Sequence, residues 1–225
     1  MEKDGTGYEK NSNIIYKLNN DKNGNGIEYY EGKLEFEGQN INGKRHGKGK
    51  EYNYDGYLIF EGEYLKGQKN GKGKGYYWNS DKLEFEGEYL NGKRNGKGKE
   101  YYRFSKLCFE GEYLNGKRNG KGKEYYDDDE ELYFEGEYLN GKRQGKGKDY
   151  FLDGSLEFEG EYLNGDRWNG NGYNTRGEIK YKISNGNGFI EEFDIYGQLQ
   201  FKGRYLNRKK MEKDKNMKNL TIPWN

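Results

Sequence analysis

The chain has little of what most catalytic and metal sites are built from, since its 225 residues include one Cys and one His. A single cysteine, Cys108, excludes a disulfide framework and fits a reducing compartment. One Cys and one His cannot supply a four-coordinate zinc site. No run approaches the ~20 apolar residues of a membrane-spanning helix, and residues 1–7 lack the apolar core of a signal peptide. We therefore expect a soluble, cytoplasmic protein without metal or cofactor.

Hydrophobic residues are also scarce, at 30% of the chain against 35% charged residues, with a mean hydropathy of -1.43. Such values are typical of disordered chains, because too little apolar surface is available to offset chain entropy. Aromatic residues nevertheless make up 17% of the chain and recur at fixed positions. A Tyr or Phe ring buries a large area with few rotatable bonds. The regular spacing of these rings predicts an ordered fold.

A unit of 24 or 25 residues recurs along the chain, with the core pattern Phe-Glu-Gly-Glu-Tyr-Leu-Asn-Gly. Five copies are near-identical and one, which begins at residue 36, is looser. The leading residues are Phe36, Phe60, Phe85, Phe109, Phe134 and Phe158. A fixed period of this length predicts a stacked array in which each unit is one supersecondary element. Near-identical units rarely hold one asymmetric catalytic site, so the repeat also argues against an enzyme.

Each unit has the pattern of a β-hairpin. In residues 83–89, neutral residues alternate with Glu at period 2, which predicts a strand with one aromatic and one acidic face. Residues 90–96 contain two Asn-Gly pairs and are predicted to turn. Residues 97–102 are predicted to be the returning strand. Opposed residues of an antiparallel pair have a constant sum, and an odd sum of 185 or 187 places the glutamates with Lys97 and Lys99. The pattern does not decide between the two sums.

Gly87 and Gly98 predict close packing, because glycine in a strand usually marks the close approach of another group. We expect an aromatic ring of an adjacent hairpin to lie on each bare backbone. The aromatic and glycine face would then pack the units together and dock a partner. The candidate partner residues are Tyr64, Tyr89, Tyr113, Tyr138, Tyr162 and Trp168. Trp168 has two interpretations, a bulge that redirects the strand or an exposed partner contact.

The pattern divides the chain into three parts: an N-terminal segment at 1–13, the repeat array at 14–206 and a basic tail at 207–225. The end units of the array, near residues 14–26 and 179–206, are degenerate, as capping units tend to be. From residue 204 to the end, seven basic residues oppose two acidic ones. This segment is interpreted either as a solvated terminus or as a contact for acidic lipid or nucleic acid.

The repeated pattern Phe-x-Gly-x-Tyr-x-x-Gly, followed by Gly-x-Gly, resembles the MORN repeat (membrane occupation and recognition nexus) over about residues 14–206. The chain departs from the usual motif by having Phe for Tyr, Tyr for Trp and a period one or two residues longer. The resemblance implies an all-β fold, an elongated single-layer antiparallel sheet of tandem hairpins. It also implies a scaffold of membrane-associated or cytoskeletal assemblies, often dimeric, with phospholipid binding in some members.

No set of residues suggests catalysis. His46 occupies a turn position where sister units have Asn or Gln, and Cys108 has no predicted base beside it. Residues 21–26 mimic the start of a calcium loop but have Gly32 at the twelfth position. Residues 127–131 are interpreted as an acidic joining loop rather than a cation site. The sequence therefore predicts neither catalytic nor metal-binding residues.

Basic pairs recur in the predicted turns and would form one charged edge, which we take as a candidate site for anionic lipid. The candidate residues are Lys44, Arg45, Lys93, Arg94, Lys117, Arg118, Lys142 and Arg143. Alternatively, these cations offset the nearby glutamates and protect an exposed edge. Nucleic acid is an unlikely partner, because the chain outside its tail is acidic. The preferred interpretation is a non-enzymatic scaffold that binds a protein or a second copy, and the alternative is a peripheral membrane adaptor that binds acidic phospholipids.

Overall fold

A computed structural model describes residues 6–8, 14–17, 24–127, 130–194, 198–207 and 209–211. Among these residues every regular element is a β-strand, and no helix is long and apolar enough to cross a bilayer. The chain divides into two units, Met1–Glu130 and Glu131–Asn225. Within each unit, each described strand pairs antiparallel with the next in an open sheet. The predicted all-β class is therefore confirmed.

The described residues of the first unit form eleven strands. They are β1 (Thr6–Tyr8), β2 (Ile14–Lys17), β3 (Gly24–Tyr30), β4 (Lys33–Ile41), β5 (Lys44–Tyr52), β6 (Leu58–Leu65), β7 (Gln68–Tyr76), β8 (Leu83–Leu90), β9 (Lys93–Tyr101), β10 (Leu107–Leu114) and β11 (Lys117–Tyr125).

In the part of the second unit that the structure describes there are eight strands, and the first three have the same sequence pattern as the repeat strands of the first unit. The eight strands are β12 (Leu132–Leu139), β13 (Lys142–Tyr150), β14 (Leu156–Leu163), β15 (Asp166–Tyr173), β16 (Ile179–Ser184), β17 (Asn187–Phe193), β18 (Leu199–Leu206) and β19 (Lys209–Lys210). β19 lies inside the predicted basic tail, and most of that tail lies outside the described residues. The same holds for most of segment 1–13 and for parts of the calcium-like and acidic loops.

The turn of each repeat is shorter than residues 90–96, and that prediction is wrong. Asn91 and Gly92 have positive φ angles of 49° and 80° and form a two-residue hairpin turn. The strand resumes at Lys93, since Tyr89 already pairs with Arg94. The second Asn-Gly pair forms a bulge instead, with Gly96 at a φ of 82°.

The register of the hairpin has the sum 185 over its centre, where Phe85 opposes Glu100 and Gly87 opposes Gly98. Beyond the bulge the sum falls to 183. Because Glu86 opposes Lys99, the predicted shared face of glutamates and lysines is confirmed there. Glu84 departs from it, because a register shift between Leu83 and Phe85 frees it to pair with Arg94 on the aromatic face.

Successive hairpins are joined by backbone hydrogen bonds beyond the strand ladder. The turn amide of Gly92 donates to the Lys69 carbonyl of the preceding hairpin at 2.9 Å, and Gly116 donates to Arg94 at 2.8 Å. At the opposite edge, the connections between hairpins are tight turns, such as Asn53–Gly56, where the Gly56 amide donates to the Asn53 carbonyl at 3.0 Å. We call the edge that contains the two-residue turns within hairpins, such as Asn91 and Gly92, the turn edge. The opposite edge, which contains the connections between hairpins, such as residues 53–56, is the join edge.

Candidate binding surfaces

The aromatic side of each sheet, the ring face, is built on opposed glycines. A Cβ atom on Gly87 would lie 2.6 Å from the Lys97 carbonyl oxygen and 2.7 Å from Cζ of Phe85. A Cβ on Gly98 would meet the same ring. The ring on each glycine pair therefore comes from the same hairpin, and the expectation that an adjacent hairpin supplies it is wrong. A Phe side chain two residues before the glycine is close enough to fold back over the backbone of its own strand.

Adjacent hairpins are joined by tyrosines that pack edge-on between these phenylalanines. Tyr89 lies 5.4 Å from Phe85 and 5.1 Å from Phe60 of the preceding hairpin, at angles of 86° and 83°. T-shaped pairs at this separation are favourable because of the ring quadrupole. We call the resulting series in the first unit the ring column, which consists of Phe36, Tyr64, Phe60, Tyr89, Phe85, Tyr113 and Phe109.

The structure places the predicted partner residues mostly inside this packing. Tyr89 and Trp168 are half-buried, and the other four tyrosines are exposed by 5% or less. Those four are Tyr64, Tyr113, Tyr138 and Tyr162. Trp168 lies at a register shift, between Tyr162↔Arg167 and Glu161↔Asn169, which is the bulge interpretation. Burial against neighbouring rings leaves little of the four tyrosines for a partner to contact.

A cation lies over the leading phenylalanine of each of the six repeats. The Arg94 guanidinium is 4.4 Å from the centre of Phe85, and Lys69 Nζ is 4.2 Å from Phe60. Arg143 lies over Phe134 at 3.9 Å in the second unit. Cation–π contacts of this kind are most favourable when partly desolvated. These cations therefore cover the rings, although sequence reasoning placed them in exposed loops.

The same cations are bridged by carboxylates of the returning strands. Glu100 accepts hydrogen bonds from Arg94 of its own hairpin at 2.9 Å and from Arg118 of the next at 2.6 Å. Glu51 likewise pairs with Arg45 and Lys69, each at 2.8 Å. We call this series the carboxylate–cation ladder.

The second unit contains the same bridge. Asp149, which is 1% exposed, accepts hydrogen bonds from Arg143 and from Arg167. It also accepts a hydrogen bond from the Tyr162 hydroxyl. Burial, together with the Asp149 charge, raises the pKa of Tyr162. Burial opposes the charge of Arg167, but Asp149 and the neighbouring Tyr181 outweigh it and raise the pKa of that guanidinium.

The predicted anionic-lipid residues therefore separate into two groups. Arg45, Arg94, Arg118 and Arg143 lie in strands on the ring face and are held by carboxylates, so their placement in loops is wrong. Their lysine neighbours also lie at the start of strands but are exposed, and these are Lys44, Lys93, Lys117 and Lys142. Alternation along a strand sends neighbouring side chains to opposite faces, which accounts for the division.

The exposed lysines pair across the strands with aliphatic residues at the turn edge. Leu90 opposes Lys93 and is 49% exposed, and Leu114 opposes Lys117 and is also 49% exposed. Ile41, at 42%, opposes Lys44 in the same way. Sequence reasoning missed this row, although a Leu or Ile directly before the turn of each of the six repeats was its signal.

The join edge of the first unit has a second exposed row, composed of aromatic residues. Tyr54, Trp78 and Phe104 lie in three successive joins and are 53%, 63% and 79% exposed. In two joins of the second unit that the structure describes, the turn position of Tyr54 and Trp78 is occupied by Leu152 and Thr175. Sequence reasoning treated the joins as variable connections and missed the recurrence of aromatic residues.

The remaining face has alternating lysines and glutamates. Tyr101 donates a hydrogen bond to Glu86 at 2.6 Å, and Tyr125 donates to Glu110 at 2.7 Å. Lys99 lies 4.0 Å from Glu110 of the next hairpin. We call this surface the Lys–Glu face. In the described part of the chain, no group of three or more His, Cys, Asp and Glu side chains is arranged to hold a metal ion.

Hairpins that repeat every 24 or 25 residues, and that pair with the next hairpin within each unit, define a tandem β-hairpin repeat protein. The MORN repeat family model matches the chain five times, at residues 36–56, 60–79, 85–103, 109–130 and 134–155. The chain belongs to the MORN repeat family, a non-catalytic type of repeat. Comparison with curated proteins gives no match.

Proposed function

We propose that the protein is a non-enzymatic scaffold that binds a protein partner, or a second copy of itself, through the exposed aromatic row of the first unit. The observation behind this proposal is the exposure of Tyr54, Trp78 and Phe104 in successive joins. Large exposed apolar groups that recur along one edge are typical of interaction sites, and Trp and Tyr are enriched among residues that dominate binding energy. A cytoplasmic location within membrane-associated or cytoskeletal assemblies belongs to the same proposal.

The spacing of the row suits a partner that binds several repeats at once. Adjacent strands are about 4.8 Å apart, so the joins of successive hairpins recur at intervals of roughly 10 Å. Tyr54 and Trp78 have the same position in their turns, and Phe104 lies one position later in its turn. A partner that contacts three joins would therefore span about 20 Å, which permits several weak contacts to act together. Several evenly spaced contacts suit a scaffold that binds one partner along several repeats better than a site that depends on one residue.

The alternative function, a peripheral membrane adaptor for acidic phospholipids, is supported by the turn edge. There the exposed lysines lie beside Ile41, Leu90 and Leu114, so apolar and cationic groups are on the same edge. A cation near an anionic membrane surface contributes about 1 kcal/mol. Exposed aliphatic side chains would add a contribution from apolar burial.

Two matched variants separate these functions. The first is Trp78→Ala with Phe104→Ala, which removes the two most exposed residues of the aromatic row. The second is Lys93→Gln with Lys117→Gln, which removes two exposed charges from the turn edge. We expect the aromatic variant to lose partners that the wild-type protein retains in affinity capture from its native cell, or to lose self-association in sedimentation, whereas the lysine variant keeps both.

Vesicles containing acidic phospholipid test the alternative at physiological salt. Cosedimentation that the lysine variant loses and the aromatic variant keeps would support the membrane adaptor. Partner capture and self-association that are unchanged in the aromatic variant would contradict the scaffold proposal.

A further inference from the structure

At one position of the carboxylate–cation ladder, the strand has a glycine instead of a carboxylate residue. Gly75 opposes Phe60 and Phe85 in its two strand pairings, as Glu100 opposes Phe85 and Phe109. Gly75 therefore has the position from which Glu51, Glu100 and Asp149 bridge the cations of two hairpins. Among the residues that the structure describes, no carboxylate bridges Lys69 and Arg94.

The ring face is also more exposed to solvent near Gly75 than at the equivalent positions of the neighbouring hairpins. Tyr89 is half-buried, whereas Tyr64 and Tyr113 are fully buried, at only 3% and 4% exposed. Gly73, in the same strand as Gly75, is half-buried, whereas the equivalent residues Gly98 and Gly122 of the next two hairpins are fully buried. A Cβ atom on Gly75 would have one neighbour within 4 Å, the Tyr89 hydroxyl at 3.3 Å. Solvent therefore reaches the space that a glutamate fills in the other hairpins.

Three hydrogen-bond donors surround that space. Lys69 and Arg94 supply an ammonium and a guanidinium, each over its own phenylalanine ring. The third donor is the Tyr89 hydroxyl, because Tyr162, at the equivalent repeat position, donates to the bridging Asp149. Burial, opposed by the nearby Arg94 charge, raises the pKa of Tyr89 to about 12, so this hydroxyl retains its proton at neutral pH.

We propose that this site, the Gly75 subsite, binds a carboxylate supplied from outside the chain. The carboxylate belongs either to an acidic side chain or C-terminus of a peptide, or to a small free acid. It takes the position of the missing glutamate, between Lys69 and Arg94. A planar monoanion matches the fork of a guanidinium.

A phosphate dianion suits the Gly75 subsite less well than a carboxylate. Arg94 already bonds Glu84 and Glu100, and Lys69 already bonds Glu51. These three carboxylates repel a second negative charge on the ligand, and the interaction is strong at partly buried positions. The site therefore selects for one negative charge.

The test uses acetate as the probe, titrated against chloride at constant ionic strength and followed by NMR of the full chain. We expect saturable shifts confined to the amides of Gly73 and Gly75 and to the Tyr89 ring. Gly75→Glu supplies the missing carboxylate, so acetate affinity should fall by about tenfold or more. Shifts that are spread over the surface, or that persist unchanged in Gly75→Glu, would overturn the proposal.

Glu100→Gly is the matched gain-of-site variant, because it removes the bridge between Arg94 and Arg118. It should acquire a second set of acetate-dependent shifts at Gly98 and Tyr113. If that variant does not fold, Lys69→Gln replaces it and should weaken acetate binding at the Gly75 subsite. An undiminished response in Lys69→Gln would contradict the proposal.

A short capped peptide with one aspartate, compared with its asparagine analogue, distinguishes the two sources. Stronger binding of the aspartate peptide than of acetate assigns the site to a protein carboxylate, and equal binding assigns it to a small free acid. If neither probe binds, the proposal fails. Because these measurements need no natural partner, they are independent of the proposed scaffold function.

Discussion

Phe109 shows how a single position is fixed in each repeat. Its ring lies over Gly111, where a Cβ atom would be 2.6 Å from the Lys121 carbonyl oxygen and 2.7 Å from Gly122 Cα. The Arg118 guanidinium lies over the ring, 4.0 Å from its centre. The phenylalanine thus packs against both backbone and guanidinium, and it is fully buried although the sheet is open.

Gly111→Val should destabilise the protein much more than Glu110→Val. The valine would overlap backbone atoms and the Phe109 ring, and overpacking of this kind costs about 3 kcal/mol. Glu110→Val removes a hydrogen bond from Tyr125 at a half-buried position, which costs about 1 kcal/mol. Urea unfolding of both variants measures the difference, and equal losses would contradict the face assignment.

Tyrosine ionisation should limit stability at high pH. Burial and the hydrogen bond to Glu37 raise the pKa of Tyr52 to about 12, and burial raises that of Tyr89 to about 12. Unfolded tyrosines titrate near 10. Between pH 10 and 12 the unfolded chain releases protons that the folded state keeps, so stability is complete below pH 10 and falls above it.

Urea unfolding at pH 8, 10 and 11 measures this loss, and ultraviolet absorbance follows tyrosinate formation. We expect Tyr89→Phe to lose less stability between pH 8 and 11 than the wild-type protein. A single titration of all tyrosines near pH 10 in the folded protein would contradict the expectation.

Sequence parity placed the aromatic rings, the glycines and most of the glutamates on their correct faces, because side chains alternate strictly along a strand. It did not place the arginines. The bulge at Gly96 shifts the register, and Arg94 then pairs with Tyr89 instead of lying in a loop. A carboxylate at Glu100 on the aromatic face was the available signal, since a half-buried acid needs a cation.

At the scale of the hairpin, the first residue of the turn affects the stability of the hairpin, because its backbone is in the left-handed conformation. Five repeat turns begin with Asn at positive φ, but the hairpin of β6 and β7 has Lys66 at a φ of 53°. Left-handed backbone is unfavourable for a residue with a long side chain and is tolerated by Asn. This hairpin also has Gln68, Lys69 and Gly75 where the repeat that begins at Phe85 has Lys, Arg and Glu, so four of its positions depart from that repeat.

Lys66→Asn should therefore stabilise the protein by about 1 kcal/mol. The urea midpoint of the variant, compared with the wild-type protein, measures the gain. The reverse change in a regular turn, Asn115→Lys, should cost a similar amount, because Asn115 has a φ of 52°. Stabilisation by Asn115→Lys would contradict this account of the turns.

The hairpin period, the first Asn-Gly pair as a turn and the odd parity of the register followed from the sequence, whereas the choice between the register sums 185 and 187 did not. Strand pairing alone cannot choose between them, because both keep the faces intact. The choice depends on the Gly87 and Gly98 backbones, which face each other directly and leave room for Phe85.

At the scale of the whole molecule, charge pairing across strands recurs on the Lys–Glu face. Lys50 and Glu37 are 4.0 Å apart, Lys74 and Glu61 are 4.0 Å apart, and Lys148 and Glu159 are 3.2 Å apart. These side chains are between a third and a half exposed, so each pair is worth only a few tenths of a kcal/mol and is screened by salt.

Raising sodium chloride from about 0.02 M to about 0.5 M should lower the free energy of unfolding by about 1 kcal/mol, because many exposed pairs are screened together. Urea unfolding is the suitable measurement, since urea adds no ions. The double variant Lys99→Gln with Glu110→Gln should depend less on salt. Stability that rises with salt would show that repulsion, not attraction, dominates this face.

The bond from each turn amide to the preceding hairpin, such as Gly92 to Lys69, has a consequence for how such a chain can change in length. Within the first unit, the turn amides of Gly67, Gly92 and Gly116 each donate to a carbonyl of the preceding hairpin, so an inserted copy would meet a complementary acceptor and donor on its two sides. Tandem duplication of one 24- or 25-residue segment would therefore create no new kind of interface. A gene duplication or an engineered insertion can then change the number of repeats, provided that it keeps the reading frame and adds whole repeats.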